Sequence, residues 1–168
     1  MEIIRKKTDY AFRLMLNLST NYGKGAVSAR VLSNEEKVSY QLACKLLQQL
    51  HDAGYVKSRM GPNGGYFLSK TPSKISLADI VNVIQSPIRL RDCLLGFNYC
   101  PKKNSCTIHN ELNRLGNYID DFLSNLTLNQ LMKMRHIDSE NGEKFLVSND
   151  IRKVKVKSER SINKGKKI

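Results

Sequence analysis

Apolar residues recur at intervals of three and four through Ala11, Leu14, Met15 and Leu18, which predicts a first helix with one buried face, N-capped by Thr8 or Asp9 and ended by Asn21 to Gly25. A short second helix is expected from the cap residue Ser28, burying Val31 or Leu32, before a turn over Asn34 to Lys37. Ser39 is placed to cap a third helix. Its buried stripe is Leu42, Ala43, Leu46, Leu47 and Leu50, while Gln41, Cys44, Lys45 and Gln48 line a polar, slightly basic face. Two short segments, Tyr55 to Met60 and Tyr66 to Ser69, flank Gly61-Pro62-Asn63-Gly64-Gly65 and read as a β-hairpin. A further helix is expected from Ser76 through Leu77, Ile80, Val81 and Ile84, stopped by Pro87.

Two short helices, the later one with a polar stripe, followed by a glycine-tipped hairpin, predict a mainly α fold with a small β-hairpin wing. This is a winged helix-turn-helix, in which one helix meets base edges and the wing meets the phosphate backbone. The expected DNA contacts are Ser28, Ser39, Tyr40, Gln41, Lys45, Gln48, Arg59, Pro62, Asn63 and Gly64. Farther on, Ile108, Leu112, Leu115, Ile119, Phe122 and Leu126 are spaced 4, 3, 4, 3, 4, the period of a coiled-coil seam. A long dimerisation helix and a symmetric homodimer are therefore expected. The expected division is a DNA-binding domain over 1–88, a cysteine loop and dimerisation helix over 89–134, and a disordered basic tail over 135–168.

Charge agrees with nucleic acid as partner. The 168 residues carry +13, and within 151–168 eight basic residues stand against Glu159 alone. No stretch has the apolar length of a membrane span, so a cytoplasmic protein without a membrane partner is expected. The sequence has no Ser-His-Asp set, paired carboxylates or nucleotide fingerprint, which argues against an enzyme. His51 and His136 read as surface residues, and Cys44 as a small filler near the turn.

The chemistry lies in Cys93, Cys100 and Cys106, three cysteines within fourteen residues, in a segment whose Gly96, Asn98, Pro101 and Asn104 favour a loop. Three converging thiolates suit zinc or the iron of an iron-sulfur cluster. His109 is the local candidate for a fourth ligand, and Asp9 a remote one that could arrive from a partner protomer.

The Thr8-Asp9-Tyr10-Ala11 start, the Gly61-Pro62-Asn63-Gly64-Gly65-Tyr66 wing, the three-cysteine loop and Leu126-Thr127-Leu128 together resemble the Rrf2 family of bacterial regulators over about residues 1 to 134. The resemblance implies a homodimeric winged helix whose long helices cross, with an iron-sulfur cluster near the interface that tunes DNA binding. It further implies a transcription regulator, expected to be a repressor, that senses nitric oxide, redox state or iron-sulfur status. The step from Cys106 to His109 is similar to members holding a [2Fe-2S] cluster. Asp9 falls where nitric-oxide-sensing members carry an aspartate for a [4Fe-4S] cluster, so either cluster fits. Two departures stand out: Lys37 occupies a turn position where glycine is common, and Met60 precedes the wing glycine where arginine is common, with Arg59 one place earlier. A regulator with structural zinc or a protein signal, and a small iron-sulfur electron carrier, are the alternatives.

Overall fold

The computed structural model describes residues 3–85 and 106–141, with the backbone alone for His109 and residues 135–141. Helices α1 (Lys6–Thr20), α2 (Ala29–Glu35) and α3 (Tyr40–Asp52) are followed by strands β1 (Val56–Arg59) and β2 (Gly65–Leu68). A 3-10 turn at Pro72–Lys74 leads to α4 (Leu77–Ile84), and the chain resumes as α5 (Thr107–Asn125) and α6 (Leu128–Asn141). Leu14, Met15, Leu32, Leu46, Leu47, Leu50, Ile75, Ile80 and Leu128 are fully buried in one core, so α6 closes the same core that α1, α3 and α4 build.

Several local expectations are corrected. Helix α1 starts at Lys6, with Arg5 in the cap position and no side-chain cap. Thr8 is instead buried inside the first turn, where its Oγ1 donates to Gln85 Oε1 at 2.7 Å. The long-range bond from α4 outcompetes the local capping that the residue type suggested. Ser28 does cap α2, accepting from the Val31 nitrogen, but Val31 is exposed and Leu32 takes the core position. Ser39 occupies the cap position of α3 without a side-chain capping bond. Ser76 forms a full capping box with Asp79, whose other carboxylate oxygen accepts from the Tyr55 hydroxyl at 2.9 Å. Helix α6 runs to Asn141. Pro87 lies outside the described residues.

Lys37 sits in the left-handed region at φ 52, the one non-glycine residue to do so among the described residues. The turn between α2 and α3 requires this conformation, and a Cβ there costs about 1–2 kcal/mol. Lys37→Gly is expected to raise stability by roughly 0.5–1 kcal/mol, the relief being partly offset by the more flexible unfolded chain. Urea denaturation would check this, and a destabilised variant would contradict it.

The hairpin is more than two strands. Val27, in the loop between α1 and α2, pairs with Tyr66 through two backbone hydrogen bonds of 2.9 and 2.8 Å. Gly65 makes this approach possible, because a Cβ at that position would press into the Val27 carbonyl and lie 2.8 Å from the Ser28 nitrogen. The wing is thereby stitched to the entrance of α2 as well as to the end of α3.

Candidate nucleic-acid interface and metal ligands

Helix α3 presents Ser39, Tyr40, Gln41, Lys45 and Gln48 to solvent, while Ala43, Leu46, Leu47 and Leu50 hold it in the core. Gln41, Lys45 and Gln48 are spaced four and three, so they form one outward stripe. Gln48 donates to Asp52 at 2.7 Å, which ties its amide down at the C-terminal end of that stripe. Ser28 uses its oxygen as a capping acceptor, and a hydroxyl in that role still has its hydrogen to donate.

Arg30, which sequence reasoning did not single out, stacks its guanidinium over the Tyr40 ring at 5.5 Å from the centroid. The two residues are ten apart on different helices, so no period within one helix reveals the pair; only the close packing of α2 on α3 brings them together. The contact fixes an aromatic side chain that is half exposed at the start of α3. The neighbouring Cys44 thiol, chiefly as a hydrogen-bonding partner, raises the Tyr40 hydroxyl above the ordinary phenol range. Burial first and Cys44 second raise Tyr66 likewise. Cys44 is half-buried on α3, consistent with a small filler rather than an exposed thiol. Glu35 and Glu36 do not crowd the basic stripe with mobile charge, since Asn17 Nδ2 donates to both carboxylates at 2.7 and 2.8 Å and draws them to α1.

On the wing, Arg59, Pro62 and Asn63 are exposed and Gly64 is half-buried. Arg59 pairs in register with Gly65 and Lys57 with Phe67, so Lys57, Arg59 and Phe67 share one face of the hairpin, while Val56 and Leu68 face the core. The guanidinium reaches back toward the Asn63 carbonyl at 3.5 Å. Met60, one place later, is almost wholly exposed at 98%.

Of the candidate metal ligands, Cys106 stands at the cap position of α5, half-buried and a free thiol among the described residues. His109 follows it within the first turn of the same helix, whereas Cys93 and Cys100 lie outside the described residues. Asp9 lies in the first turn of α1, paired with Arg13 at 2.8 Å and about half exposed. Among the described residues no three His, Cys, Asp or Glu side chains converge on a point that could hold a metal ion. The donor set a cluster would need is therefore split between the start of α5 and the segment before it. A half-buried thiol at a helix start fits such a role, being accessible to a cluster while its backbone is fixed.

Along α5 the predicted seam divides. Ile119 and Leu126 pack against the core beside the buried Leu123, and Leu112 is half-buried. Ile108, Leu115 and Phe122, seven residues apart, are 72%, 48% and 57% exposed, with Tyr118 at 57% alongside. Among the described residues no helix is long and apolar enough to cross a membrane.

Residues 4–134 match the family model Rrf2, described as "Iron-dependent Transcriptional regulator". The HTH-type transcriptional regulator IscR of Pectobacterium carotovorum is 27% identical over 134 residues, covering 80% of this chain and 81% of the relative. The structure superposes on CymR, the global cysteine regulator of B. subtilis, with a TM-score of 0.68 and 28% identity, covering 80% of this chain and 98% of that one. IscR of T. potens shares the fold at a TM-score of 0.64 and 23% identity, over 85% of this chain and 92% of that one.

Proposed function

Because the chain belongs to the Rrf2 family, a DNA-binding family of transcriptional regulators, we propose that it is a homodimeric repressor whose operator affinity is set by an iron-sulfur cluster. Cys93, Cys100 and Cys106 would hold the cluster, with His109, or Asp9 of the partner subunit, as fourth ligand. The observation that carries this reading is the match of residues 4–134 to a family described as iron-dependent, in a chain whose sequence has three cysteines within residues 93–106, just ahead of α5. A cluster supplies a centre that nitric oxide, oxidants or iron limitation can alter. The chain's own residues then have to couple that change to DNA: Ser39, Tyr40, Gln41 and Lys45 against base edges, with Arg59 and the wing tip on the backbone. The exposed Ile108, Leu115 and Phe122 support a symmetric helix pairing, which would present two such surfaces to two half-sites.

The test is iron and sulfide analysis of anaerobically purified protein, with duplex binding by holo and apo protein at one salt concentration. Cys106→Ala is expected to abolish the cluster and make the two preparations bind alike, and His109→Ala against Asp9→Ala is expected to identify the fourth ligand. Equal affinity of wild-type holo and apo protein for every duplex would sink the sensor reading. The second reading is a winged-helix regulator with a structural zinc or protein signal, since three thiolates suit zinc as well as iron. Stoichiometric zinc in place of iron would select it.

A further inference from the structure

At the base of the wing, a cavity of 410 Å³ opens between the turn that ends α1 and the outer face of the hairpin. Tyr22, Gly23, Gly25 and Ala26 form one side; Phe67, Leu68 and Arg59 form the other. The volume lies within the roughly 300–1,000 Å³ of small-molecule sites. Tyr22, Ala26, Phe67 and Leu68 supply the apolar part of the lining, Arg59 is its one charged residue, and no carboxylate lines it. The walls are also fixed: Val27 is hydrogen-bonded to Tyr66 next to the cavity, and Leu68 is anchored in the core.

We propose that this cavity is an effector site for a small anionic molecule with a flat apolar body, an aromatic carboxylate in the simplest case, whose charge pairs with Arg59 while its ring lies between Tyr22 and Phe67. Inorganic phosphate would use the guanidinium but leave the aromatic walls unfilled, and a neutral aromatic would leave the guanidinium unpaired. The combination of charge and lining selects a ligand with both parts. Arg59 is also the wing cation expected on the DNA backbone. A ligand that holds it in the cavity therefore competes with the duplex, and this part rests on the DNA-binding reading above.

The probe is 1-naphthoate, titrated into isotope-labelled full-length protein and followed by amide chemical shifts, with 1-naphthalenemethanol as the neutral control. Saturable shifts at Tyr22 to Ala26 and at Phe67 are expected, with affinity about tenfold weaker in Arg59→Ala or with the neutral probe. Ala26→Phe, which fills the cavity, is expected to abolish binding, and Tyr22→Ala to weaken it should the first variant fold poorly. Absence of saturable shifts, shifts confined to the exposed face of α5, or equal binding of the neutral probe would overturn the site. In the second arm, 1-naphthoate is expected to lower wild-type affinity for a fluorescent duplex but not that of Ala26→Phe. Binding in the cavity with unchanged DNA affinity would overturn the competition. Loss of DNA affinity in Arg59→Ala, together with no naphthoate binding by the wild-type protein, would leave the wing reading intact and remove the effector site.

Discussion

The double substitution Leu115→Asp with Phe122→Asp is expected to leave the fold intact, convert the protein to a monomer, and weaken duplex binding by roughly 100-fold or more. Both side chains are about half exposed in the single chain, so two carboxylates there remain hydrated and the core does not register them. In a helix pair the same positions fall on the seam, where burying unpaired carboxylates costs several kcal/mol. The loss of DNA affinity follows from losing the second half-site, since two linked contacts bind far more tightly than one. Sedimentation equilibrium, thermal melting and fluorescence anisotropy check the three parts. An unchanged molecular mass would remove the helix-paired dimer, and a collapsed melting curve would mean that the exposed face serves the fold instead.

The second large effect is expected at Gly65, where alanine should cost about 3 kcal/mol or more, from a contact with the Val27 carbonyl added to an unfavourable φ of 149. The pairing of Val27 with Tyr66 must open to admit the methyl group. Gly23→Ala provides the control, because its φ of 79 is strained but nothing lies within 4 Å of the added carbon. It should cost roughly 1 kcal/mol. Urea denaturation of both variants, with amide exchange at Tyr66, separates the two causes. Similar values for both would show that the crowding at Gly65 relaxes freely.

The sequence made the helical pattern, the wing and its glycine tip legible because each rests on local chemistry: a period of three to four, Ser28 and Ser76 as caps, and Gly64-Gly65 between two short strands. What it concealed came from partners distant in the chain. Thr8 looks like a cap and is a donor to Gln85, 77 residues away. Val27 has no strand pattern of its own, yet it extends the hairpin. The seam of α5 read as one stripe, but a helix packed by one edge onto its own domain exposes only part of such a stripe, and periodicity carries no information about which part. The exposed face of α3 was legible as a polar stripe, whereas the Arg30 contact was not, since its partner Tyr40 lies on the next helix. Of the proposed ligand set, the described residues place Cys106, the backbone of His109, and Asp9.

The end of α5 is fastened where Ser76 bridges Thr127, with the Leu77 nitrogen bonded to the Leu126 carbonyl at 2.9 Å and the Leu128 nitrogen to the Ile75 carbonyl at 3.0 Å. This pins one tip of a 19-residue rod, about 28 Å long, to the body that carries the wing, and puts Cys106 at the opposite tip. Such an arrangement is a lever. Since Ile119, Leu123 and Leu126 also pack the last turns on the core, the free arm of this lever is the stretch from Ile119 back to Thr107, about 18 Å long. A tilt of about 5° of that arm would sweep the thiol end through roughly 1.5 Å. On the proposed reading the converse would hold as well: a displacement of ångström size at Cys106 would reach the exposed face of α3 geared down, as a small rotation applied at the first turn of α4.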